Sequence, residues 1–435
     1  MKDSIVQIVI AILAVLIGYP NLGSFFIVAM APLVIYMVVK QNAMYLPALM
    51  IHCTSGTSVM YVVLISMLVV CIIKQKDLWS NIYTMIYYII MLLMLPLYLI
   101  LTYQRILLDG DTWQGALGYT AFFLSFWAFL YYYLISNTFT QRVIKELLIS
   151  LLVFVTICFF VRLWGIRIVY MSFIVGLIFG ILLIIQRQKI FYGFIMSMIA
   201  IVIIPLLPEM TFSILFTLIL AFIIALFSRP GHSTKLTRMI TGPIVYIAIL
   251  ALMVFGMANY TTATFGAYSD TIEFSDWSLL FNRLQFKLFD DRAPFWEAGW
   301  YQLLEYKPIL PLHDIPDIIA YSADGHIFDD VSFGAHNSPL QLFRIFGFLM
   351  GGGLIICYMI STISASSFFL LRNKDLASLS LFSVSFSYMI VLFLTGTAAM
   401  LPDVSLFTFG LMGIAYGQFI GQKQIITVNE KQPLR

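Results

Sequence analysis

The residues best suited to chemistry stand at the end of a long polar interval in this sequence. His336, Asn337 and Ser338 come just before Pro339 and an apolar run. Histidine has an unperturbed pKa of about 6.5, so a neutral imidazole at His336 can accept a proton at neutral pH. Ser338, Pro339 and Gln341 fit a capping box with Ser338 as N-cap. The pattern predicts a base ahead of a helix N-terminus, where free N–H groups and the helix dipole favour an anion. The alternative interpretation makes His336 a surface or capping residue.

Arg292 begins a second candidate segment in the same interval. A guanidinium group can bind a phosphate through two parallel hydrogen bonds, so Arg292 is a candidate anion-binding residue. The alternative is an ion pair with Asp290 or Asp291. Pro294 and the early acidic residues predict a helix start at this point. Three apolar residues share one face of that helix at helical spacing: Trp296, Trp300 and Leu303.

Three further arginines are candidates for a second anion-binding group. Arg162 and Arg167 flank Trp164 at the end of a predicted pair of apolar helices. A charge in such a position is costly and often functional, although both arginines can instead anchor the helices at the membrane interface beside Trp164. Arg344 lies two helical turns after Asn337 on nearly the same face, so it can line the same cavity. Arg167 is the preferred residue of the pair, because Arg162 can serve as an anchor alone.

The elements that must position these residues are apolar helices. Of the 435 residues, 61% are apolar and 10% are charged, compared with about 45–50% and about 25% in soluble proteins. Apolar runs long enough to cross a bilayer recur along the whole chain. The four cysteines fall in or beside these runs, at spacings that suit neither a metal site nor a disulfide framework. The composition predicts an all-α polytopic membrane protein.

The apolar runs predict about 12 to 14 transmembrane helices. The runs 43–53 and 58–73 are interpreted as a short hairpin around a polar bend. The predicted spans are 4–18, 25–39, 43–53, 58–73, 79–103, 118–136, 144–161, 166–185, 190–207, 210–227, 239–257, 345–370, 376–396 and 404–421.

The charge distribution predicts the orientation of these helices. One set of loops, together with both termini, carries 16 Lys and Arg against 5 Asp and Glu, and the other set carries 8 against 16. The positive-inside rule places the first set in the cytoplasm. The polar interval is then one large periplasmic or extracellular loop. The predicted domains are transmembrane helices in 1–257, a catalytic loop at 258–343, transmembrane helices in 344–421 and a cytoplasmic tail at 422–435.

Several common catalytic motifs are missing from the sequence. It contains no Walker A sequence, no H-E-x-x-H and no G-x-S-x-G. Asp109 and Asp111 are better interpreted as a solvated turn than as a metal-bound nucleotide-sugar site. The sequence therefore carries no motif for a metal, a cofactor or a nucleic-acid partner, and none is expected.

The spacing of the candidate residues resembles that of the O-antigen ligase and Wzy-type polysaccharide polymerase superfamily. The matching features are Arg292 and Trp296 in R-x-x-x-W, then Pro308, then His336 in H-N-S and Gly347 in the next helix. The resemblance covers roughly residues 160–420, and its specific part is 291–353. It implies a GT-C-like membrane fold. It also implies metal-independent transfer of a glycan from undecaprenyl diphosphate to an acceptor at the periplasmic or outer face.

The resemblance also implies roles for individual residues. His336 is the base for the acceptor hydroxyl, and Arg292 contacts the leaving diphosphate. The substrate-binding residues expected with them are Arg167, Arg162, Asn337, Arg344 and Trp296. Met350 stands where the family's ligases usually carry Gly, Thr or Tyr, which disfavours a ligase.

The function expected from these observations is a polysaccharide polymerase of the O-antigen or capsule type in the cytoplasmic (inner) membrane. Its donor is an undecaprenyl-diphosphate-linked glycan, and its acceptor is another lipid-linked repeat unit. A ligase that transfers the glycan to a lipid core and a transporter of lipid-linked sugars stay open as alternatives. The expected partners are lipid-linked oligosaccharides, membrane lipid, a chain-length regulator and a flippase.

Overall fold

The fold is known from a computed structural model of the chain. It describes residues 23–40, 59–107, 122–141, 143–144, 293–310, 337–371, 375–395 and 402–431, with single positions between 220 and 228. All regular elements within these ranges are helical, and the ranges contain no strand. The all-α prediction is therefore confirmed for this part of the chain. The predicted spans at 4–18, 43–53, 144–161, 166–185, 190–207 and 239–257, and most of 210–227, lie outside the described residues.

The predicted spans at 25–39, 58–73, 79–103, 376–396 and 404–421 each overlap one long helix, whereas the described part of 118–136 contains an α-helix of eight residues. Short 3-10 helices follow two of the α-helices, at Ser136–Thr138 and Ser367–Leu370. The α-helices, numbered in chain order, are α1 (Gly23–Lys40), α2 (Val59–Ile73), α3 (Gln75–Leu78), α4 (Ile82–Leu107), α5 (Trp127–Leu134), α6 (Ala293–Tyr306), α7 (Ser338–Ser366), α8 (Leu376–Thr395) and α9 (Pro402–Lys431).

Two segments of the described chain are long and apolar enough to cross a membrane. They are Ile82–Tyr103 in α4 and Ser338–Leu370, which comprises α7 and the 3-10 helix after it. A span of about 20 apolar residues is needed to cross the hydrocarbon core. Length and composition therefore agree with a membrane association, while the number and orientation of the crossings stay predictions.

Aromatic side chains form the centre of the described part. α5 is enclosed on all sides, since every residue from Trp127 to Tyr132 is at most 1% exposed. Tyr87 of α4 stacks on Phe129 with ring centroids 4.8 Å apart, and its hydroxyl donates to the Phe126 carbonyl at 2.8 Å. A helix that is buried on every side must be apolar on every side. This explains why the α5 sequence shows no amphipathic pattern.

Two glycines of α9 bring its backbone against α5 and the turn after it. A Cβ atom at Gly413 would collide with the Phe129 carbonyl oxygen, and one at Gly417 would collide with the Ser136 hydroxyl. Their spacing of four residues is the small-xxx-small pattern by which apolar helices pack closely without large side chains between them. α9 therefore packs directly against α5 and covers one side of the aromatic centre.

α9 is longer than the sequence predicted. We expected a span at 404–421 followed by a tail, but the helix runs from Pro402 to Lys431. The apolar run ends near residue 421, and the next residues are Gln422, Lys423 and Gln424, which are good helix formers. The boundary at residue 421 is therefore a change of polarity within one helix.

Candidate functional site

The start of α7 carries a side-chain cap, but at a different residue from the one predicted. Asn337 has an extended backbone (φ −147°, ψ 114°), and its Oδ1 accepts the amide N–H of Leu340 at 3.1 Å. Ser338 is already helical, so the prediction of Ser338 as N-cap is wrong by one residue. Asparagine caps helices at least as well as serine, and the helix takes the earlier of two adjacent capping residues. Pro339 then lies within the first turn, where its missing N–H costs nothing.

Arg344 lies about two turns after Asn337 along α7 and is buried. Its side chain is 4% exposed, and its guanidinium donates from Nη1 to Oε1 of Gln341 at 2.7 Å. A second bond runs from Nε to Oε1 of Gln302 in α6 at 2.8 Å. Hydrogen bonds to an ionised group are short and stronger than neutral ones. The arginine therefore ties α6 to the first turns of α7.

One side of α6 is buried, and it includes two of the three apolar residues that were predicted to share a face. Trp296 and Leu303 are each 1% exposed, and Gly299 is buried between them. Trp300 shares this side of the helix by its spacing, as predicted, but it lies at the edge of the buried face and is 48% exposed. The burial of Trp296 adds a packing role to the substrate-binding role expected for it, and the binding role stays a prediction.

α7 is broken at Gly347, so that it consists of residues 338–346 and 348–366. Gly347 has φ 72° and ψ 173°, a combination that side chains essentially exclude. A Cβ atom there would also lie 2.6 Å from the carbonyl carbon of Leu310. The predicted span of 345–370 therefore corresponds mainly to the second part of a helix that starts earlier.

The segment that follows α6 accepts two hydrogen bonds from the backbone at this break. The amide of Phe348 donates to the Pro308 carbonyl at 2.7 Å, and the amide of Leu349 donates to the Ile309 carbonyl at 3.1 Å. A helix that restarts has amides with no partner in its own first turn, and here two of them bond to another chain segment. Irregular backbone at membrane depth is tolerated where protein groups satisfy it in this way.

These contacts give α6 and the first part of α7 the same direction. Gln302 precedes Pro308 along the chain, and their partners Arg344 and Phe348 follow in the same order. At 1.5 Å per residue, the first residue of α6 and the N-cap of α7 lie roughly 14 Å and roughly 10 Å along the helices from the Gln302–Arg344 bond. Both helices therefore begin at the same end of this pair.

Four of the predicted site residues lie outside the described residues: Arg162, Arg167, Arg292 and His336. Two of them are adjacent in sequence to the paired helix starts. Arg292 immediately precedes Ala293, the first residue of α6, and His336 immediately precedes Asn337, the cap of α7. Arg344 contacts α6 through Gln302, and Asn337 caps the helix that carries Arg344.

Gln302 was missed by the sequence analysis. The available signal was its position between the apolar residues Tyr301 and Leu303, since a polar side chain that is not fully exposed needs a partner. Gly347 was noted as a motif residue, but its spacing carried no indication that the helix breaks there.

No protein-family model, curated protein or solved structure matches the chain. The family resemblance therefore rests on the motif residues themselves. The structure adds the arrangement of α6 and α7, the two helices that follow Arg292 and His336 in the sequence.

Proposed function

We propose that this chain is an integral-membrane glycosyltransferase of the polymerase type. It takes a glycan from an undecaprenyl-diphosphate carrier and transfers it to another lipid-linked repeat unit at the outer face of the cytoplasmic membrane. The proposal combines the motif resemblance with the arrangement of α6 and α7.

The observation that carries the proposal is the pairing of the two helix starts. Two residues suited to glycan transfer, Arg292 and His336, each stand one position before a helix or its cap. The two helices run in the same direction and are joined by the Gln302–Arg344 bond. The two helices thus begin at the same end of the pair, which supports a common site for the residues that precede them in the sequence.

The reaction follows from the chemistry of the two groups. His336 takes the proton of the acceptor hydroxyl as that oxygen attacks the anomeric carbon of the donor sugar. A glycosidic bond forms, the bond between the anomeric carbon and the diphosphate oxygen breaks, and the diphosphate leaves on its lipid. Arg292 stabilises the negative charge that develops on the leaving diphosphate. The N-terminus of α7 adds its partial positive charge near the same place.

The remaining candidates have secondary roles in this proposal. Arg167 supplies the second cation for the diphosphate, with Arg162 as the alternative. Arg344 lies between the two helices, and its positive charge acts on the site from about two turns along α7. Trp296 shapes the cavity from the buried face of α6. Asn337 orients the imidazole of His336 or a phosphate oxygen while its Oδ1 caps α7.

The membrane arrangement belongs to the same proposal. About 12 to 14 helices in a GT-C-like arrangement cross the bilayer, both termini are cytoplasmic, and residues 258–343 form the outer loop. The 16-to-5 and 8-to-16 charge split supports this topology. The two segments long enough to cross a membrane and the glycine-mediated contact of α9 with α5 support a packed bundle.

Reconstitution of the purified protein into liposomes with undecaprenyl-diphosphate-linked repeat units tests the function. We expect lipid-linked products of increasing length, together with released undecaprenyl diphosphate, without any added nucleotide sugar. Transfer that occurs only when a lipid-core acceptor is added would identify a ligase instead. Movement of the lipid-linked sugar across the bilayer without a new glycosidic bond would identify a transporter and refute the proposal.

A further inference from the structure

A row of half-exposed apolar side chains crosses from α6 to α7. It is formed by Trp300, Leu304, Leu310, Leu349, Ile356 and Ile363, each between 48% and 51% exposed. A soluble protein seldom leaves such a continuous apolar strip uncovered. The strip therefore needs an apolar partner.

The strip is continuous because backbone bonds fix its two halves together. The Leu349 amide donates to the Ile309 carbonyl, which places the segment carrying Leu310 beside the start of the second part of α7. Leu349, Ile356 and Ile363 recur every seven residues, so they lie on one face of that helix. Leu304 and Trp300 continue the strip on the α6 side of this junction.

The lengths of the helices place the strip relative to a bilayer. From Phe348 to Ser366 the helix rises about 28 Å, close to the thickness of about 30 Å of the hydrocarbon core. Gly347 then lies near one boundary of that core, and α6 lies beyond it. Along the strip, Leu349, Ile356 and Ile363 occupy the part within the core, and Trp300 occupies the part beyond it. Tryptophan and tyrosine concentrate at this level of a membrane.

We propose that α6 is an interfacial helix whose Trp300–Leu304 face is embedded in the lipid headgroup layer of the bilayer that α7 crosses. Lipid covers the exposed strip over its whole length, from Trp300 to Ile363. Glu305 is exposed on another side of α6 and faces the aqueous part of that layer. This inference does not depend on the reaction catalysed. If the proposed function also holds, the start of α6 beside Arg292 lies at the level of the diphosphate of a lipid-linked substrate.

Nitroxide labels in the full chain in liposomes test the proposal. Cysteines are introduced singly at residues 300, 304, 310 and 356, after the four native cysteines have been replaced, and labelled with a nitroxide. We expect the ratio of collisions with oxygen to collisions with a water-soluble nickel complex to rise in that order. The matched control is Glu305→Cys, for which we expect a ratio severalfold lower than at residue 310.

Two results would overturn the inference. Collision with the nickel complex at residues 300, 304 and 310 as frequent as at residue 305 would place α6 in water. Immobile labels that neither reagent reaches would mean that protein, such as a second copy of the chain, covers the strip.

A second measurement needs only one mild substitution. In lipids brominated near the top of the acyl chains, the native protein should lose more tryptophan fluorescence than the Trp300→Phe variant. Equal losses from the two proteins would contradict contact of Trp300 with lipid.

Discussion

The guanidinium of Arg344 donates from Nε to the side-chain oxygen of Gln302 across 2.8 Å, joining two helices whose starts are more than forty residues apart in sequence. Arg344 is 4% exposed, so water does not readily replace a lost acceptor. We therefore expect Gln302→Leu to lower the free energy of unfolding by about 1.5–3 kcal/mol, measured as a lower midpoint of thermal unfolding in detergent. Gln302→Glu keeps an acceptor and should retain the native midpoint. Native stability of Gln302→Leu would show that the bond contributes little.

Gly347 should tolerate no side chain, because the backbone of Leu310 occupies the space and the backbone angles are those of glycine. Gly347→Ala should destabilise the protein by about 1–3 kcal/mol from backbone strain alone. Gly352→Ala is the matched control in the same helix, since its Cβ would meet Phe343 only at 3.7 Å. Thermal unfolding of the two variants decides the question. Equal midpoints would contradict the break in α7.

Arg292 is expected to bind the diphosphate through two hydrogen bonds. Arg292→Ala should abolish polymer formation while the protein still accumulates in the membrane, and Arg292→Lys should be nearly as poor because lysine cannot form the paired contact. The measurement is the chain-length distribution of the polymer in cells that express each variant. A normal distribution in Arg292→Ala cells would remove Arg292 from the site.

The outer loop is expected to be reachable from outside the cytoplasmic membrane. A cysteine at residue 324, in a background without the native cysteines, should react with a reagent that cannot cross this membrane. Labelling that requires permeabilisation of the cytoplasmic membrane would contradict the orientation drawn from the charge split.

The sequence predicted the long helices of the described part, because each of them coincides with a long apolar run. The start of α6 directly after Arg292 was predicted correctly. The predicted cap of α7 was wrong by one residue, since Asn337 and Ser338 both suit that position. The sequence could not predict the break at Gly347. A glycine in an apolar run is compatible with a straight helix, and only the contact with Leu310 requires the bend.

The relation between the two candidate segments was also beyond the sequence. Arg292 and His336 were proposed together because of a motif resemblance, and nothing in their spacing specifies how their helices meet. That information lies in a bond between Gln302 and Arg344, which depends on the tertiary packing of two separate segments.

The most direct test of the account is the rate of glycan transfer by His336→Gln relative to the native protein. Purified proteins, a lipid-linked donor and acceptor, and excess chelator are sufficient for the assay. If His336 is the base, its replacement by a polar side chain that cannot take the proton should lower the rate by about 10²–10⁴-fold, while the native protein stays active in chelator. Full activity of His336→Gln, which keeps a hydrogen-bonding side chain, would make His336 a structural residue and contradict the proposed mechanism.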